Sequence, residues 1–145
     1  MASFTEPPQD VLRRSKVIAV VGASKNPEKE AHSVPLYMQQ RGYRLVPVNP
    51  TADSIFGERS WHSLEEIPLD LAREVDAVEV FRPSEELPSV AAQVVEMNKR
   101  TGKRIAFWSQ TGLRNDEAGR LLTENGIPYV MDACMRVVHQ TYLSR

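Results

Sequence analysis

KVIAVVG, residues 16–22, is a short uninterrupted apolar run rich in β-branched side chains that stops at a glycine. That is the pattern of a strand covered on both faces, as in parallel sheets flanked by helices. Toward the C-terminus, a polar stretch over residues 23–30 precedes Val34, Leu36, Tyr37 and Met38, which end at Gly42. This segment has helical length, with Ser33 as its expected N-cap and Pro35 in its first turn. Residues 43–48 (YRLVPV) read as a second strand closed by Asn49-Pro50, its Pro47 marking an irregular or terminal position. Residues 76–81 (DAVEVF) read as a third, in which Glu79 predicts that one side reaches solvent or a polar partner.

The alternation continues. Acidic residues 84–86 suit a first helical turn, and Leu87, Val90, Ala91, Val94, Val95 and Met97 recur at helical spacing before Gly102. Residues 104–108 form a fourth strand, 115–125 a helix and 127–131 a fifth strand, while 51–70 is an ordered excursion with a short helical pattern over 63–67. Strands alternating with helices predict an α/β, Rossmann-like, doubly wound parallel five-stranded sheet with right-handed crossovers. Residues 11–145 are expected to form the single domain and 1–10 an N-terminal extension, with residues 3–14 packing on the sheet as an added helix.

Composition narrows the function. The chain has 145 residues, 41% hydrophobic and 26% charged, which suits one globular domain. Its 18 basic and 19 acidic side chains leave a net charge of -1, so no overall field draws it to nucleic acid or an anionic membrane. Residues 1–9 lack the apolar core of a signal peptide, and no window reads as a spanning helix, so a cytoplasmic location is expected. Cys134, the only cysteine, excludes an internal disulfide and a thiolate metal cage.

In doubly wound sheets ligands lie beyond the carboxyl ends of the strands. The loop Gly22-Ala23-Ser24-Lys25 follows the first strand, where backbone N–H groups and a helix start hold phosphate. It lacks the GxGxxG fingerprint, and the acidic residue expected for the NAD ribose is replaced by Asn49-Pro50, which argues against NAD. No GxxxxGK[ST] is present either, which removes the usual P-loop. The second and third strand ends, Val48-Asn49-Pro50 and Phe81-Arg82-Pro83, pair prolines with an amide and a guanidinium on one rim. Such walls suit a flat base and a phosphate-bearing chain, although both segments also fit plain strand terminators. Gln110, in WSQTG, can bond a ligand amide.

Taken in order, VGAS, GYRLVPVNP, IFGERSWHSLEEIP, DAVEVFRPSEE, FWSQTGL and PYVMDACM resemble the bacterial and archaeal CoA-binding protein family over about residues 11–140. Members of that family are free-standing single domains similar to the N-terminal domain of the succinyl-CoA synthetase alpha subunit. The resemblance implies coenzyme A or an acyl-CoA as ligand. Gly22, Ala23, Ser24 and Lys25 would lie at its phosphates, Val48, Asn49 and Pro50 at the nucleotide, Phe81, Arg82 and Pro83 along the same wall, and Gln110 toward the pantetheine or thiol end. Ser33, at the expected helix start, joins these contacts. Trp61-His62 stands where a tyrosine-proline pair is commoner in the family, and Thr111 and Leu113 replace a serine and an isoleucine, changes that alter pocket shape more than ligand class.

No catalytic residue is expected. The synthetase's phosphohistidine lies in a second domain that this sequence does not contain. His32, His62 and His139 form no spaced acid–base or metal pair in sequence, with His32 alone near enough to a helix start to meet phosphate. The reading is a non-catalytic binding module for a small molecule, a monomer or weak homodimer without nucleic-acid or membrane partners. Two alternatives stay open: an enzyme subunit completed by a partner, and a CoA-linked redox sensor acting through Cys134.

Overall fold

A computed structural model describes residues 1–144. In chain order it contains β1 (Ser3–Phe4), α1 (Pro8–Arg14), β2 (Val17–Val21), α2 (Glu30–Gln40), β3 (Arg44–Val48), β4 (Ser54–Ile55), β5 (Glu58–Arg59), α3 (Leu69–Ala72), β6 (Ala77–Val80), α4 (Leu87–Thr101), β7 (Ala106–Ser109), α5 (Asp116–Glu124), β8 (Tyr129–Met131) and α6 (Met135–Tyr142). Short 3-10 turns cover Leu64–Glu66 and Ser84–Glu86.

The central sheet runs β1-β8-β7-β6-β2-β3, parallel except for β1, which pairs antiparallel with β8. The chain leaves β2 toward β3 on one side and then returns to build β6, β7 and β8 on the other. Strand order therefore reverses between β2 and β6, where Val21 lies beside Val80. That is the topological switch point, and the crevice above it is where ligands bind in such sheets.

Every residue of β2 is buried because both faces of the sheet are covered. One core takes Val17, Ala19, Val21, Val78 and Val80 against the apolar stripe of α4 and against Ala118 and Leu122 of α5. The other takes Ile18, Val20 and Trp108 against Val11 and Leu12 of α1, Val34 and Met38 of α2, and Met135 of α6. The alternation along β2 thus divides between two apolar layers, which is why its sequence shows an unbroken run.

The structure confirms the doubly wound α/β domain and corrects several expectations. The sheet has six strands, not five: β1 is two residues long, too short to show a period, and it joins through Ser3 and Phe4 opposite Met131 and Val130. Only residues 8–14 of the expected N-terminal helix are helical. Ser33 is not an N-cap. α2 begins at Glu30, with Lys29 in the cap position, so Glu30, Ala31 and His32 form its first turn. Pro35 consequently lies inside α2, and α6 is an element that the sequence reading lacks. Glu79 reaches neither solvent nor a polar partner. It is 0% exposed, both of its oxygens lack a hydrogen-bond partner among the described residues, and Val20 and Trp108 flank it in register.

Candidate functional site

Gly22 sits at the switch point with φ +83°, a left-handed conformation that favours glycine. A Cβ there would lie 2.7 Å from the carbonyl oxygen of Phe81, so the ends of β2 and β6 approach this closely only because residue 22 has no side chain. The Gly22 and Ala23 amides both donate to the Val48 carbonyl, at 3.1 and 3.3 Å, which ties the loop to the end of β3. Asn49 completes that staple. Its Nδ2 donates to the Ala23 carbonyl at 2.9 Å, while its Oδ1 accepts from the Thr51 and Ala52 amides at 2.8 and 2.9 Å.

The loop is anchored to α2 by a consequence of proline chemistry. Pro35 has no N–H to give the Ala31 carbonyl, and that carbonyl accepts from the Ser24 amide at 3.2 Å instead. Ser24 is further fixed by its hydroxyl, which accepts from the Asn26 amide at 3.0 Å, and its carbonyl lies 2.6 Å from His32 Nδ1. Lys25 is left exposed at the tip. This loop is held in shape before any ligand arrives, the preorganisation that lowers the cost of binding.

Beside it lies a cleft of about 240 Å³ on the α4 side of the sheet. Of the residues singled out from sequence, Gly22, Val48, Pro50 and Arg82 line it, joined by His62, Ser63, Glu86 and, from α4, Val90. Arg82 does not point its guanidinium freely into the cleft. Its Nε and Nη2 donate to Glu86 Oε1 at 3.2 and 2.9 Å, so an incoming phosphate would compete with a carboxylate.

The remaining residues fall elsewhere. Ala23 is buried and Phe81 half-buried in the α2-side core, and Pro83 occupies the cap position of the turn before α4. Ser33 lies within the first turns of α2. Gln110 belongs to the α2 side as well: its Nε2 donates to Glu30 Oε2 at 3.2 Å, and the residue is 3% exposed. Among the described residues Gln110 Oε1 is buried without a partner, a costly state for an acceptor and one that a ligand N–H would relieve. Cys134 is half-buried at the start of α6 against the same core.

Sequence reasoning left His62 without an acidic partner; the fold gives it two. His62 Nε2 lies 3.3 Å from Asp53 Oδ1, and its backbone N–H donates to Glu66 Oε2 at 2.8 Å. The hairpin of β4 and β5 carries Asp53 back beside His62, a return that apolar periodicity cannot reveal. Glu86 could have been found from its i,i+4 spacing to Arg82. Glu79, just below the rim in β6, has its carboxyl pushed up to about 8 by burial alone.

A preshaped glycine loop at a switch point, a cleft bordered by a guanidinium, and a buried amide oxygen in want of a donor fit a phosphate-bearing ligand with amide groups. They define the chain as a Rossmann-like ligand-binding domain. The family described as CoA binding domain matches residues 16–140. The uncharacterized protein YneT of Bacillus subtilis is 43% identical, with 90% of each chain covered. The structure of cell-free ID.343 from Thermus thermophilus superposes with a TM-score of 0.81 at 37% identity, covering 94% of this chain and 98% of that one. The ADP-forming acetate–CoA ligase II of Archaeoglobus fulgidus is 26% identical across 97% of this chain, which spans only 25% of the ligase. The chain belongs to the CoA-binding domain family.

Proposed function

We propose that this domain binds coenzyme A or an acyl-CoA across the carboxyl ends of β2, β3 and β6 and catalyses no reaction itself. The observation that carries the reading is the close approach of Gly22 to the Phe81 carbonyl, which opens the preshaped loop onto the cleft shared with Val48, Pro50 and Arg82. In this reading the phosphates lie along residues 22–25, with Lys25 and Arg82 supplying positive charge. Val48, Asn49 and Pro50 border the nucleotide, Asn49 chiefly by holding the loop. The wall formed by Phe81 and Pro83 continues the groove, and Gln110 offers its acceptor oxygen to an amide of the pantetheine arm. Ser33 acts only through the packing of α2. A small-molecule ligand, a cytoplasmic location and a monomer or weak homodimer complete the proposal; no described helix is long and apolar enough to cross a membrane.

Calorimetric titration of the ligand-stripped protein with CoA, acetyl-CoA, NAD and ATP tests it. CoA and acetyl-CoA are expected to bind, more weakly in Arg82→Ala; tighter binding of NAD or ATP would overturn the assignment. The similarity to a quarter of a CoA ligase favours one second reading, a ligand-binding subunit of a larger enzyme. A stable heteromer recovered with CoA-dependent activity would establish it.

A further inference from the structure

Helix α6 is fastened to the domain by few side chains. Met135 and His139 are buried on it, while Val137 and Tyr142 are more than half exposed. His139 is therefore a titratable anchor, 7% exposed in the seam where α6 meets α1 and α2. Its Nδ1 lies 3.0 Å from the Tyr37 hydroxyl of α2, and the Tyr37 and Tyr43 rings meet the imidazole edge to face, with centroids at 5.5 and 6.0 Å. Tyr43 in turn donates to the Leu12 carbonyl of α1 at 3.0 Å. Arg41 lays its guanidinium over the Tyr37 ring at 4.4 Å, and Arg136 stands three residues before His139 on α6. Among the described residues no carboxylate pairs with His139, and the charges of α1 are engaged elsewhere, Arg13 with Asp10 and Arg14 with Glu6.

The turn that leads into α6 is tied to the rim of the sheet. The Asp132 amide donates to the Leu113 carbonyl at 3.2 Å, the Ala133 amide to the Ser109 carbonyl at 3.3 Å, and the Trp108 indole to the Ala133 carbonyl at 2.9 Å. Asp132 has φ +60°, uncommon outside glycine, and these bonds hold it there. We propose that His139 is an acid-sensitive latch: protonating it releases α6 and, through the Asp132-Ala133 turn, loosens the loop of residues 109–113 that carries Gln110. The consequence for a ligand amide at Gln110 rests on the reading of that residue given above. A proton on this buried ring would be an unpaired cation among aromatic walls beside Arg41. Burial first, and the Arg41 charge second, hold the imidazole below its ordinary value of 6.5. Releasing α6 returns the ring to water and to that value. Below pH 6.5 the released state thus binds a proton that the docked state does not, and docking weakens as pH falls until the docked ring also titrates; above 6.5 docking is at full strength.

Hydrogen exchange of the full chain without ligand, followed by mass spectrometry from pH 5 to 8 and corrected for the intrinsic pH dependence of exchange, tests the latch apart from the CoA assignment. Protection over residues 135–142 and 109–113 should be constant above pH 7 and fall by up to about tenfold per unit below 6.5, while α4 keeps its protection. In His139→Gln, which cannot take up the proton, protection of both segments should not change with pH. Constant protection in wild type, or an undiminished acid loss in His139→Gln, overturns the latch; loss over α6 with none over 109–113 overturns its link to the rim. If the variant leaves α6 released at every pH, NMR titration of the His139 ring in wild type decides. A midpoint below 6.5 supports the latch, and one at or above 6.5 overturns it.

Discussion

Glu79→Gln should stabilise the domain by an amount that grows with pH. The carboxyl of Glu79 is buried between Val20 and Trp108 with no partner for either oxygen among the described residues, and burial raises it from 4.5 in the unfolded chain to about 8 in the folded one. Between those values the unfolded chain has released a proton that the folded chain keeps. Stability contributed at this position is therefore complete below about pH 4.5, falls as pH rises, and levels off above about 8. At about 1.4 kcal/mol per pH unit, the whole interval amounts to about 5 kcal/mol. A glutamine has similar shape and never ionises. The difference between variant and wild type should accordingly be small at pH 5 and widen by about 1.4 kcal/mol per unit toward pH 8. Urea unfolding at unit steps of pH measures it, and Trp108, neighbour to Glu79 across the ladder, is a built-in fluorescent reporter. Other titrating groups cancel in the difference. A stability gap that stays constant from pH 5 to 8 would refute the reasoning, because it would mean that Glu79 is already ionised and compensated in the folded chain.

Gly22→Ala places a Cβ 2.7 Å from the Phe81 carbonyl at a positive φ, and should cost about 3 kcal/mol in chemical unfolding together with CoA binding in calorimetry. Glu86→Gln frees the Arg82 guanidinium and should tighten CoA severalfold; because the pair is half-exposed, stability should move by no more than about 1 kcal/mol. Gln110→Leu removes the buried acceptor and should weaken CoA about tenfold while leaving adenosine binding intact. Cys134, half-buried against the α2-side core, should remain unmodified after incubation with CoA disulfide; a mass increase of one CoA, absent in Cys134→Ser, would instead support the redox-sensor alternative.

The strands of the parallel sheet were legible where burial on both faces leaves an unbroken apolar run, as in β2 and β3, or a glycine-terminated helix follows, as in α4. β1 was not, since its pairing with β8 sets Ser3 against Met131 and Phe4 against Val130, at the far end of the chain, and two residues carry no period. α6 was missed because Met135 and His139 alone are buried on it, too few apolar anchors to stand out from a tail. The rim residues were legible as a set of loops, since strand ends in this topology must converge. Which side of the sheet each side chain serves was not: Arg82 and Gln110 lie in adjacent rim loops, yet one borders the α4-side cleft and the other reaches Glu30 of α2. The pairing of Asp53 with His62 was invisible for the same reason, as the β4–β5 hairpin brings the two together through a turn whose geometry hydrophobic spacing does not encode.

Both lateral margins of the sheet are closed by very small pieces of chain. Beyond β8 there are only the two residues of β1, and beyond β3 a single bridge from Val48 to Trp61. On the β8 flank a foreign strand meets a two-residue ladder too short to nucleate on, whereas on the other flank the bridge shields only the Val48 end of β3. Loosening Phe4 or Trp61 should therefore widen the open sheet edge before it disturbs the loop at Gly22.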